Sequence, residues 1–126
     1  DLKMLLAGLS PHLNPGEYVF CYVKNLTNHT LPSRDKTLME FKEAEGLTLI
    51  VEKNVADEFN LGYDYVASWI TLQIHSALEA VGLTATISAK LASEGISANV
   101  VAAFFHDHIF VDVKDKERAI AALKGL

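Results

Sequence analysis

Between Ser68 and Leu126 the chain spells the element order β-α-β-β-α, and that order leaves few folds open. A strand beginning Ser68-Trp69-Ile70-Thr71-Leu72 leads to a Gly82-Leu83 turn. A helix over Thr84 to Glu94 follows, with Leu83, Ile87 and Leu91 four residues apart on one face and Gly95 as its stop. The runs Asn99 to Phe105 and Ile109 to Val113 are apolar enough for strands, and Asp115 stands where it can cap a last helix over Lys116 to Lys124.

The first half has a related order. Leu2, Leu5, Leu6 and Leu9 follow helical spacing up to Ser10-Pro11, where the proline disfavours helix in the residue before it. Tyr18 to Val23 is apolar on both faces, as a central strand is, and Leu47-Thr48-Leu49-Ile50-Val51 reads as a second strand after Gly46. Asn54 is placed to cap a helix through Phe59 that Gly62 ends. Residues Thr48 to Asn54 match Ile109 to Asp115 just ahead of each final helix, which marks a diverged internal repeat.

Between the halves, Val66 to Ile74 alternates a mostly apolar face (Val66, Ser68, Ile70, Leu72, Ile74) with a face of Ala67, Trp69, Thr71 and Gln73. Such a strand closes the first half and opens the second. The expected fold is α+β: two intertwined ferredoxin-like βαββαβ units, residues 1–65 and 66–126, sharing strand 66–74, with helices on one face of an antiparallel sheet. The helix-free face, with Trp69, Ala102, Phe104 and Phe110, is expected to be covered by a second copy in a homodimer. Lys24 to Glu45 is polar and reads as a long surface connection.

Composition excludes several function classes. Sixteen acidic and eleven basic residues give a net charge of −5 with no Lys/Arg stripe, so nucleic acid and anionic membranes are poor partners. No apolar run approaches the ~20 residues of a membrane span. The single cysteine, Cys21, lies in the strand Tyr18 to Val23, which points to a buried thiol in a reducing compartment, the cytoplasm by default. The chain opens on Asp1 in place of Met, consistent with removal of a short leader.

Catalytic equipment is sparse. There is no Gly-x-Ser-x-Gly elbow and no glycine-rich phosphate loop, so binding is expected in place of chemistry and no cofactor is implied. His106-Asp107-His108 sits in the hairpin between the last two strands, and a zinc-dependent hydrolase would need a third ligand such as His75. The segment His75-Ser76-Ala77-Leu78-Glu79-Ala80-Val81-Gly82-Leu83 offers imidazole, hydroxyl, carboxylate and flexible backbone together. Free N–H groups at a helix start suit the carboxylate of an α-amino acid, Glu79 or Asp107 can accept from its ammonium, and Gly82 lets the backbone approach. The same residues also read as a plain helical turn ended by glycine.

The stretches Trp69 to Leu72, His75 to Ala85, Gly95-Ile96-Ser97 and Asn99 to His108 resemble small bacterial proteins built of ACT-like domains. Gly16 to Cys21 and Glu43 to Leu49 look like the N-terminal ACT-like part of the same group, and the tandem ACT arginine sensors of animal cells look like distant relatives. The resemblance implies a regulatory module that binds an amino acid at the turn after a first strand, generally across a dimer. Carried onto this chain, it places ligand contacts at Ser76, Val81, Gly82, Leu83 and Asp107, with His75 and Glu79 as weaker additions. With no catalytic domain to regulate in the same chain, such a module is expected to act alone or upon another chain. A structural or protein-interaction module without ligand is the competing expectation.

Overall fold

The computed structural model describes residues 2–73 and 81–126. It divides into two compact units, Gly16–Ala67 and a second formed by the residues up to Pro15 with Ser68–Leu126.

In the Gly16–Ala67 unit, strand β2 (Tyr18–Val23) pairs antiparallel with β4 (Gly46–Glu52), so that Val19 lies opposite Val51, Cys21 opposite Leu49 and Val23 opposite Leu47. All six are buried, and with Val55, Ala56 and Leu61 they form the core of the unit. Val55 and Ala56 come from α2 (Lys53–Glu58), which starts at Lys53 with Glu52 at its N-cap, so Asn54 is inside the helix and does not cap it. β3 (Thr37–Glu43) lies on the outer side of β4. The segment 24–45 is therefore only partly a connection: short 3-10 turns at Leu26–Asn28 and Arg34–Lys36 lead into this strand. Its sequence hides it, because an edge strand exposed over most of its length keeps Glu40, Lys42 and Glu43 and loses the clean apolar alternation of a half-buried one.

The other unit is built on β5 (Val66–Gln73), whose last residues pair with β1 (Ser10–Leu13). β7 (Asp107–Asp112) is the next neighbour of β5, and β6 (Ala98–Ala102) pairs antiparallel with β7. On one face Ile70, Leu72, Ile109 and Val111 meet Leu83, Ile87 and Leu91 of α3 (Leu83–Ser93) and Ala119, Ala122 and Leu123 of α4 (Lys116–Lys124). Leu2, Leu5, Leu6 and Leu9, from and just after α1 (Leu2–Ala7), pack against the same cluster. α3 ends where Ile96 N–H reaches the Leu91 carbonyl at 2.9 Å and Gly95 N–H that of Ala92 at 3.0 Å, which fastens Ile96 onto Leu91.

Both units have one ferredoxin-like strand order. Read as first to fourth strands, β5, β6, β7 and β1 lie 4-1-3-2, and β2, β3, β4 and the start of β5 lie in the same sequence of neighbours. Val66 and Ala67 pair with Val19 and Tyr18, whereas Ile70 to Gln73 pair with β1. Residues up to Pro15, which the sequence groups with the first half, supply the fourth strand of the second unit. The strand beginning at Asn99 stops at Ala102, because Ala103 N–H donates to the His106 carbonyl and closes a turn that carries Phe104 and Phe105 in the open. Asp115 does not cap α4; it binds Arg118 at 2.8 Å, while the side chain of Asp112 accepts from Lys114 N–H.

Candidate functional site

The turn that leads into α3 is the first candidate. Gly82 adopts φ 93, a left-handed conformation that side chains rarely take, and stands at the N-cap with no side chain to satisfy the first-turn N–H groups. Thr86 holds the start of the helix from inside, donating both its N–H (3.0 Å) and its hydroxyl (2.9 Å) to the Gly82 carbonyl. Val81 is 92% exposed, whereas Leu83 is buried against Ile87 and Leu91. Leu83 therefore has its backbone, not its side chain, to offer a ligand. Asp107 opens β7, half-buried and paired with Ala102. His75, Ser76 and Glu79 lie outside the described residues.

A second polar constellation occupies the helix-free face of the same unit. Asn14 follows β1, and its side-chain amide donates to the Trp69 carbonyl at 3.2 Å and to the Thr71 hydroxyl at 2.9 Å. Thr71 Oγ1 lies 3.1 Å from Nδ1 of His108, and the indole N–H of Trp69 donates to that nitrogen at 3.0 Å. An indole nitrogen can only donate, so Nδ1 must accept, and His108 is the neutral tautomer with its proton on Nε2. Burial pushes the His108 pKa below the usual 6.5, the neighbouring His106 pushes it the same way, and Asp107 opposes them. Trp69, half-buried, stacks on Phe110 at 6.5 Å, and Phe110 is itself buried, so the Phe110 ring is not part of the open face that the sequence suggests.

The imidazoles of His106 and His108 stand 6.5 Å apart edge to face. Among the described residues no three His, Cys, Asp or Glu side chains gather as metal ligands, and His75 is not among those residues. Cys21 is buried, and burial first and Asp57 second push its thiol pKa up, away from the reactive thiolate. No helix among the described residues is long and apolar enough to cross a membrane.

A family model described as ACT domain matches residues 1–68, and a second model with that description matches residues 65–125. The chain belongs to the ACT domain family. In this ACT protein the two matches meet at the start of β5. Over 98% of this chain and 94% of the other, it is similar to a crystal structure of a Vibrio cholerae protein of unknown function, named there a "Possible Transport Protein", at 44% identity and TM-score 0.85. An Agrobacterium tumefaciens protein matches 93% of this chain and 87% of its own at 16% identity and TM-score 0.68. Aspartate kinase of Clostridium acetobutylicum, an allosteric enzyme, shares the fold at 12% identity and TM-score 0.62 over 94% of this chain, which spans about a third of that enzyme (34%). No match was found among curated proteins.

The residues absent from the sequence reading are Asn14 and Thr71. The signal for Thr71 was a hydroxyl two residues from Trp69 on the same face of β5; Asn14 gave none, because its partner lies 57 residues away.

Proposed function

We propose that this ACT protein is a cytoplasmic regulatory module that binds a free amino acid at the turn after β5, with a protein partner as its target. ACT domains are generally regulatory and amino-acid-binding, and both halves of the chain match them. The observation that carries the reading is left-handed Gly82 opening α3 without a capping side chain. The N–H groups of the first turn then receive the ligand carboxylate, Val81 borders it, and Asp107 with Glu79 accepts from the ammonium. Ser76 and His75, which lie outside the described residues, are proposed as further ligand contacts. The site is completed across a homodimer.

Thermal unfolding with each of the twenty amino acids tests this. Ligand at a hundred times its dissociation constant stabilises the fold by about 2.7 kcal/mol, a shift of several degrees in a chain of this size. A shift confined to a few amino acids, lost in Asp107→Ala, supports the reading. No shift with any of them refutes it and favours the interaction module, for which the exposed Phe104 and Phe105 (77% and 73%), in edge contact at 5.0 Å, are the supporting feature.

A further inference from the structure

The outer edge of the sheet in the Gly16–Ala67 unit is open, and its charges form a pattern. Among the described residues β3 pairs with β4 alone, and Glu40, Phe41, Lys42 and Glu43 are all exposed. A register shift between Thr37 and Met39 leaves a regular stretch from Met39 to Glu43, and Phe41 is its middle residue. The turn Ala44-Glu45 joins β3 to β4 at the pair Glu43 and Gly46. A two-residue turn closes on a hydrogen-bonded pair, and such pairs alternate along an antiparallel ladder. Glu43 and Phe41 therefore turn their N–H and C=O groups toward β4, and Lys42 and Glu40 turn theirs outward, to where a further strand would lie.

Charges on an edge strand ordinarily keep other strands away. Here they also single out one partner. Two copies of β3 running antiparallel about a twofold axis at Phe41 place Glu40 opposite the partner's Lys42 and Lys42 opposite the partner's Glu40. An axis at Glu40 or at Lys42 sets like charges against each other, which is destabilising. The axis at Phe41 also aligns the outward backbone groups, so each Glu40–Lys42 pair exchanges both of its hydrogen bonds. Among the described residues neither Glu40 nor Lys42 has an ion pair to give up. On the face away from α2, Phe41 lies opposite Thr48 and Thr48 opposite Tyr22, with Phe41 60% and Tyr22 53% exposed. Facing Phe41 rings join these rows of two copies into one stripe and withdraw apolar surface from water.

We infer that β3 is a self-pairing edge: two copies of this chain associate through antiparallel β3 strands centred on Phe41. The contact rests on the homodimer proposed above only for the existence of a second copy, and it uses none of the residues of the amino-acid site. It is tested with no ligand present, so either can fail while the other stands.

Sedimentation velocity of the full chain over a concentration series tests it on the wild type, Glu40→Lys, Lys42→Glu and the double variant that exchanges the two charges. The expected result is a wild-type dimer whose dissociation constant rises about tenfold or more in each single reversal and returns to within about threefold in the exchange. Phe41→Cys is expected to give a disulfide-linked dimer on air oxidation, because Cα atoms of a pair that is not hydrogen-bonded stand about 4.5 Å apart, within the span of a disulfide. The wild type, whose Cys21 is buried, is expected to give none. Glu40, Phe41 and Lys42 are exposed, and circular dichroism checks that each variant stays folded. A monomeric wild type overturns the contact. A dimer whose dissociation constant both single reversals leave unchanged, that the exchange does not restore, or that Phe41→Cys does not cross-link overturns the pairing about Phe41.

Discussion

Lowering the pH through the histidine range is expected to destabilise this ACT protein through His108. Its Nδ1 accepts from Trp69 at 3.0 Å, so a proton there would face another donor, and that hydrogen bond is lost. The group has its folded pKa depressed, by burial first and by His106 second, against the opposing Asp107. The unfolded chain therefore takes up a proton near the ordinary 6.5 while the folded chain resists it. The stabilisation is present above that value and disappears as pH falls through it toward the folded pKa. Loss of one neutral hydrogen bond costs about 0.5–1.5 kcal/mol, and the reorientation forced on the Thr71 hydroxyl at 3.1 Å adds to this. The assay is urea unfolding between about pH 8 and pH 5 for the wild type and for His108→Phe, which lacks the titrating group. The difference between the two should shrink by about 1 kcal/mol as the pH falls. Nitrogen-15 spectra of the imidazole should show the proton on Nε2 at neutral pH. Parallel pH profiles for the two proteins, or a proton on Nδ1, would refute the reasoning.

Other outcomes follow from single side chains. Gly46→Ala should lower stability by about 1–3 kcal/mol in urea unfolding, because φ is 155 there and a Cβ would stand 2.7 Å from the Val23 carbonyl oxygen and 2.6 Å from the Tyr22 ring. Leu91→Ala removes a fully buried side chain between α3 and the sheet and should cost about 2–5 kcal/mol by the same measurement. Cys21 should react with an aromatic disulfide reagent at the slow rate of unfolding in native buffer and at once in denaturant, since it is 2% exposed and its thiol pKa is raised.

The parts legible in the sequence were those whose period is set by burial on one side. Tyr18–Val23 and Lys116–Lys124 have the bounds that their patterns give. β1 escaped because its four residues, Ser10 to Leu13, are mostly exposed and include a proline, features that propensity assigns to a loop. β3 escaped for the reason that edge strands do: charge guards them. The site was legible only in outline. Gly82 announced a backbone conformation, but the contacts of His108 with Trp69 and Thr71 join residues 39 and 37 positions apart, and no local pattern encodes them.

The placement of β1 turns the domain boundary into a sharp experiment. Residues 66–126 alone lack β1 and α1. They would leave Pro11 to Leu13 missing opposite Leu72 to Ile70, and remove Leu2, Leu5, Leu6 and Leu9 from the core they pack against. Four half-buried leucines contribute on the order of several kcal/mol, a large part of the 5–15 kcal/mol that holds a domain together. Leu126 packs against the same cluster as those leucines, so a short linker from Leu126 to a copy of residues 1–15 appended after it restores the missing strand in the order that βαββαβ requires, directly after the last helix. We propose that this permuted unit, Ser68 to Leu126 followed by linker and residues 1–15, folds by itself and unfolds cooperatively, whereas 66–126 does not. Cooperative unfolding of 66–126 at the midpoint of the permuted unit would show that the first fifteen residues are dispensable and would return the boundary to residue 66.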